Sequence, residues 1–319
     1  MQHLYTSVVI AGVALMVGAA LAYLLRTFAG LSDRPRRRRG MTHLSRLLDM
    51  PIEQLRGFQP VYRQVRLAKQ RGGVRILAIP DSRTRRLQRR LLRRVLGGIR
   101  IHATATGFER GRSIVHNAAV HARCAVVIRM DLVDFFPSTR AEHVEAFFRR
   151  IGWQREAAAV LTRLCTHDGG LPQGAVTSPR LSNLVNIGLD ARLDRFVLRR
   201  GGLYTRYADD ITISFPRDPG GPSVRGTIQG VRRILATDGY RMHGGSKLRI
   251  LRRHQQQRIT GLVVNDRVQL PRKTRRWLRA VRHRLATGRP TTLNEAQIRG
   301  WLALEHMVNQ QAAAMRQRM

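Results

Sequence analysis

The sequence predicts an α+β fold, and three observations carry that prediction. Segments 61–67 and 74–79, and likewise 203–206 and 211–215, are short runs rich in β-branched and aromatic residues that face each other across turns as hairpins. Apolar residues recur at helical spacing around them, most clearly over 82–96, 179–196 and 271–285. At 319 residues the chain can bury one large core or two modest ones.

Composition adds a partner. With 58 Lys and Arg against 20 Asp and Glu, the net charge is +38, more than solubility asks for, and a polyanion fits it. Arginine outnumbers lysine, which suits bidentate phosphate contacts, although a coding bias toward GC would give the same skew. Cys124 and Cys165 are the only cysteines, without zinc spacing or a disulfide framework, as in a reducing compartment.

In chain order, residues 8–25 form an uncharged apolar run of 18 residues, followed by Arg26 and by Arg34 and Arg36 to Arg39. That length is the lower limit for a membrane-spanning helix, and the arginines behind it would hold the remainder in the cytoplasm. The expectation is a transmembrane helix and basic linker over 1–40, anchored in the inner membrane; the alternative is a soluble cytoplasmic chain that starts at Met41. A helix over 44–55 follows, then the hairpin closed by Gln70-Arg71-Gly72-Gly73. Residues 82–96 bury Leu87, Leu91, Leu92, Val95 and Leu96, and load the rest with arginines suited to a nucleic-acid backbone. Segment 107–121 begins as a loop and turns helical, placing Asn117 and His121 on one face; on residue physics alone they satisfy each other inside the fold. Thr139-x-x-Glu142 and Thr292-x-x-Glu295 read as capping boxes, and Ser178 with Pro179 reads as the start of a helix that runs to Gly201-Gly202. The segment from Pro271 is helical and strongly basic.

Chemistry concentrates on carboxylates. Tyr207-Ala208-Asp209-Asp210 sits at the tip of the second hairpin, and two adjacent carboxylates repel unless one stays protonated or a divalent cation neutralises them. An apolar strand, 127–131, ends in Asp131, with Asp134 in the turn beyond. If the two strands are neighbours, Asp131 joins Asp209 and Asp210 around two hard cations, a site for phosphoryl transfer.

These motifs, with Asp131-x-x-x-Phe135-Phe136 and Leu171-Pro172-Gln173-Gly174 between them, resemble the palm of a reverse transcriptase over about 62–284. Gly107-Phe108-Glu109-Arg110-Gly111-Arg112-Ser113, Asn117-Ala118-Ala119-Val120-His121 and Ile259-Thr260-Gly261 narrow the resemblance to the retron-type bacterial enzymes. It implies a right-hand polymerase, with fingers and palm over 41–270 and a short helical thumb over 271–319. It implies catalysis by Asp131, Asp209 and Asp210 with two Mg²⁺ ions, and Lys247 near the leaving pyrophosphate as general acid or charge stabiliser. Lys69, Arg75, Phe136 and Gln173 would meet the nucleotide, with Phe136 against the sugar's 2′-hydroxyl. Asn117, His121, Arg276 and Arg279 would handle RNA. The implied partners are a cognate structured noncoding RNA copied from one of its own 2′-hydroxyls, the RNA template and DNA product, dNTPs, and an effector protein in antiphage defence. Two rivals remain: an intron-encoded or abortive-infection reverse transcriptase, and a silent RNA-binding membrane protein.

Overall fold

A computed structural model describes residues 39–68 and 72–317. The apolar run 8–25 and Lys69 lie outside the described residues. Among the described residues no helix is long and apolar enough to cross a membrane.

Where a single helix over 44–55 was expected there are two, α1 (Met41–Leu48) and α2 (Ile52–Gly57). Asp49 closes the first in the left-handed region at φ 52°, and Pro51, which cannot continue a helix, opens the second. Strands β1 (Tyr62–Ala68) and β2 (Val74–Pro80) pair antiparallel as expected, from Tyr62 opposite Pro80 to Ala68 opposite Val74. Helix α3 (Ser82–Leu91) starts where the Asp81 carboxylate accepts from the Thr84 amide, and it widens into a π-type turn over Leu92–Leu96. Leu87, Leu91, Val95 and Leu96 are buried as the periodicity requires.

The centre is a four-stranded antiparallel sheet in the order β4-β5-β3-β6, with β3 (Val126–Asp131), β4 (Leu203–Tyr207), β5 (Asp210–Phe215) and β6 (Arg249–Arg252). Alternation splits its two faces. Val126, Ile128, Met130, Ile211, Ile213 and Phe215 join one core, covered by α9 (Ile187–Leu198) and α10 (Gly221–Thr237). The opposite face carries Asp131, Thr205, Asp210, Thr212 and Ser214. Its lower half is covered by α4 (Ile114–Ala119), while its upper end is left to the carboxylates.

Helices α5 (Phe135–Ser138), α6 (Ala141–Arg150), α7 (Arg155–Cys165) and α8 (Ser178–Val185) connect β3 to α9. With α1 to α3, helices α6 to α8 bury a second core around Leu44, Leu91, Phe148 and Leu161. The one helix expected over 179–196 is two, α8 and α9, meeting at Asn186 with φ −89° and ψ 12°. A short hairpin, β7 (Arg258–Ile259) and β8 (Leu262–Val263), packs on α4 and leads to α11 (Arg272–Ala286) and α12 (Glu295–Gln317). Val308 and Ala312 of α12 are buried in this third cluster with Val115 and Ile259.

The expected caps differ. Thr139 lies before α6 without capping it; its hydroxyl meets the Phe135 carbonyl at 3.0 Å and the Tyr240 hydroxyl at 2.8 Å. Thr177, not Ser178, stands at the start of α8, and the Ser178 hydroxyl donates to the Pro172 carbonyl. At α12 the reciprocal box is Asn294 with Gln297, each amide donating to the other's side-chain oxygen, in place of Thr292 with Glu295.

Candidate active site

Register brings the carboxylates together. Asp131, the last residue of β3, is the direct partner of Asp210, the first residue of β5, and Asp209 occupies the two-residue turn after β4. Ala208 takes φ 58° there, which a tight hairpin turn requires. The turn is tied to β3, because the Leu132 amide donates to the Asp209 carbonyl at 3.0 Å. The segment after Tyr240 lies alongside: the His243 amide donates to the Asp131 carbonyl at 2.8 Å, and the Val133 amide to the Arg241 carbonyl at 2.9 Å. This seats the Lys247 ammonium 3.1 Å from Asp131 Oδ1 and the His243 imidazole Nε2 3.5 Å from the same oxygen. Arg129 approaches Asp210 Oδ1 at 3.6 Å from within β3.

All three carboxylates are half-buried. Burial raises the pKa of Asp209, and the neighbouring Asp131 raises it further. Burial likewise raises that of Asp210; Arg129 opposes the shift, while Asp209 and Asp131 add to it. Such mutual repulsion is relieved by a cation. Among the described residues no three carboxylate, imidazole or thiol side chains already stand as a metal cage. Lys247 and Arg129 meet the charge of Asp131 and Asp210 instead. The donor set is nonetheless all hard oxygen, three carboxylates on adjacent strand ends, so it fits divalent cations of the magnesium class.

Beneath the turn lies a device that periodicity did not reveal. Arg206, wholly buried on the helix-covered face, donates to both oxygens of Asp190 on α9, at 2.8 and 2.6 Å. Its third contact is the Ala208 carbonyl at 3.2 Å, inside the turn that carries Asp209. The Tyr204 hydroxyl donates to Asp190 as well, at 2.8 Å, and the Arg206 guanidinium lies 5.3 Å from the centre of the Phe135 ring. The signal in the sequence was an arginine inside an apolar strand, one position before Tyr207.

The other expected residues divide. Arg75 is exposed on β2 and near enough to Asp209 to lower its pKa. Phe136 is half-buried, 5.5 Å from the Phe135 ring and 6.0 Å from that of Phe108; Phe135 is the core residue. Gln173 is half-buried and its carbonyl accepts from the Ala78 amide at 2.9 Å, coupling this loop to β2. Asp134 shapes the turn, at φ 45°, with its carbonyl bonded to the Ser138 amide. Arg276 and Arg279 are exposed on α11.

Asn117 and His121 require correction. They are 1% and 0% exposed, and their hydrogen bonds go to other residues rather than to each other. Thr106 donates to Asn117 at 2.7 Å; His121 bridges Ser214 and Thr205, each at 2.7 Å, and so fills the polar face of the sheet where α4 covers it. Both are structural members of the sheet's polar side. Asn183 and Asn186 are buried too, bonded to the Gly107 carbonyl and to the Tyr240 hydroxyl.

Known proteins match this arrangement. The reverse transcriptase (RNA-dependent DNA polymerase) family model matches residues 67–262. The Retron Mx162 reverse transcriptase of Myxococcus xanthus is 32% identical over 308 residues, covering 83% of this chain and 63% of that protein. The Retron Mx65 enzyme of the same organism is 36% identical over 267 residues, 77% of this chain and 61% of its own length. The Retron Ec86 reverse transcriptase of Escherichia coli is 32% identical over 234 residues, 72% of this chain and 70% of its own. The chain thus spans less than two thirds of the two Myxococcus proteins. By fold, carboxylate register and these similarities, the chain belongs to the reverse transcriptase family, in its retron-type branch.

Proposed function

We propose that the chain is an RNA-directed DNA polymerase of retron type, which copies a cognate structured noncoding RNA into DNA linked to that RNA. The observation that carries this reading is the direct pairing of Asp131 with Asp210, with Asp209 in the adjoining turn. Asp131, Asp209 and Asp210 would hold two divalent cations, with Mg²⁺ as the proposed ion. Bound there, the ions would lower the pKa of the primer hydroxyl and neutralise charge on the triphosphate.

The chain's own residues do the positioning. Lys247, 3.1 Å from Asp131, would stabilise the charge on the departing pyrophosphate or donate a proton to it. Arg75, on β2 and near enough to Asp209 to lower its pKa, would bind the triphosphate together with Lys69. Phe136, held between Phe135 and Phe108, would bar a 2′-hydroxyl, and Gln173 would approach the templating pair. Fingers and palm would occupy 41–270. The basic helices α11 and α12 would form the thumb, with Arg276 and Arg279 on nucleic-acid phosphates. Similarity to named retron enzymes supports an RNA partner of the same kind and, through it, an effector and a role in phage defence. The run 8–25, with its trailing arginines, supports an inner-membrane anchor.

The test is to purify the full chain with RNA co-expressed from its own locus and to supply Mg²⁺ and labelled dNTPs. Wild type is compared with a variant carrying Asp209→Ala and Asp210→Ala. RNA-linked DNA made only by wild type is the expected result; RNA bound without DNA from either would overturn the polymerase reading in favour of a silent RNA-binding protein.

A further inference from the structure

Beside β4, Ala105 forms a single parallel bridge with Arg206. The Thr106 amide donates to the Arg206 carbonyl, and the Arg206 amide to the Thr104 carbonyl, both at 2.9 Å. Gly107 then lies directly on the catalytic turn, where a Cβ would stand 2.9 Å from the Ala208 nitrogen, so the approach needs glycine. The next residue, Phe108, is held at φ 63°, a region costly for a bulky side chain, and it is nonetheless 44% exposed.

The backbone on both sides is clamped by α8. Asn183 donates to the Gly107 carbonyl at 2.7 Å, and Glu109 is ion-paired with Arg180, whose guanidinium also reaches the Ile99 carbonyl. Core packing does not account for a phenylalanine here, since nearly half its surface faces solvent. Its ring stands 6.4 Å from Tyr207 and 6.0 Å from Phe136, at the rim of the face that carries the carboxylates.

We propose that Phe108 is a base-stacking residue, whose exposed face receives a nucleobase of the nucleic acid or nucleotide brought to the carboxylates. The inference rests on the polymerase reading above and adds a contact that reading does not use. A flat apolar face recognises any base without hydrogen bonds, so the contact positions without reading sequence. The base comes either from the bound strand or from the incoming triphosphate.

The full chain is prepared as wild type, Phe108→Trp, Phe108→Leu and Phe108→Gly. Each is given an RNA template carrying 2-aminopurine at the first unpaired position, annealed to a DNA primer, and is then titrated with dNTP. Phe108→Gly relieves the positive φ, so its melting temperature stays at or above that of wild type and separates stacking from unfolding. Phe108→Trp keeps wild-type behaviour, while Phe108→Leu and Phe108→Gly weaken binding by roughly 5- to 100-fold. A rise in duplex Kd with loss of 2-aminopurine quenching assigns the base to the bound strand, and a rise in dNTP KM alone assigns it to the triphosphate. Leucine or glycine matching wild type in both measurements overturns the proposal. Should wild type bind the duplex without making DNA, the polymerase reading falls, while quenching that disappears in Phe108→Gly still supports stacking.

Discussion

Replacing Asp190 with asparagine tests the buried support of the turn that carries Asp209. Asp190 and Arg206 are both 0% exposed, and the carboxylate accepts two guanidinium hydrogen bonds at 2.8 and 2.6 Å as well as one from Tyr204. Burial opposes the Arg206 charge, but Asp190 overrides it and the guanidinium pKa rises; without Asp190 that support is gone, and the intrinsically high pKa of arginine keeps the group charged. Asp190→Asn therefore leaves a charge buried without a counterion and turns an acceptor into a donor facing a donor. Removing one partner of such a pair costs about 3–5 kcal/mol. At roughly 2–4 °C per kcal/mol for a chain of this order of size, thermal unfolding should start some 6–20 °C lower. The double variant Asp190→Leu with Arg206→Met removes both charges and should recover much of that loss. DNA synthesis should not recover with it, because the Ala208 carbonyl has lost its donor. Unfolding of Asp190→Asn within about 1 kcal/mol of wild type, or a double variant as unstable as the single one, would refute the reasoning.

Other perturbations have defined outcomes. Gly107→Ala places a methyl group 2.9 Å from the Ala208 nitrogen, backbone against backbone; synthesis should fall at least tenfold while circular dichroism stays native, and full activity would deny that this segment fixes the turn. Burial holds the His121 pKa down at about 3, against about 6.5 in an unfolded chain. The unfolded state therefore binds the extra proton between those values, and stability is lost as pH falls from about 6.5 toward 3, by up to about 1.4 kcal/mol per unit. In urea unfolding from pH 6.5 to 5, wild type should lose about 2 kcal/mol more than His121→Gln; parallel profiles would show that the site accepts a charged imidazole. Arg86 and Arg89 are exposed on α3. Changing both to alanine should lower the slope of log affinity for RNA against log salt by about one to two, and an unchanged slope would take that face off the backbone path.

Much of the fold was legible because its signals are local. The two hairpins, the buried stripe of α3 and the basic helix α11 follow from alternation, turn glycines and helical period, each visible within a dozen residues. Order and spacing of the Asp131, Gln173 and Asp209-Asp210 motifs brought the site with them. Contacts made over long separations were not legible. Asn117 and His121 read as a shared helical face, yet their partners, Thr106, Thr205 and Ser214, come from the preceding loop and from the sheet. The break between α8 and α9 at Asn186 follows no proline or glycine, and Asn186 is held there by the Tyr240 hydroxyl, 54 residues away. The caps failed for a similar reason: Thr139 and Ser178 fit the pattern, but carbonyls in neighbouring turns claim their hydroxyls first. Arg206 was visible only as an oddity in an apolar strand, because Asp190 lies on a separate helix.

The central claim is that Asp131, 78 and 79 residues before its partners in sequence, shares one cation-dependent polymerising site with Asp209 and Asp210. The most direct measurement is dNTP incorporation on the chain's own RNA across a Mg²⁺ titration, for wild type and Asp131→Asn, with RNA affinity measured alongside. The account predicts Mg²⁺-dependent DNA from wild type and none from Asp131→Asn at equal RNA affinity. Wild-type incorporation by Asp131→Asn would contradict it.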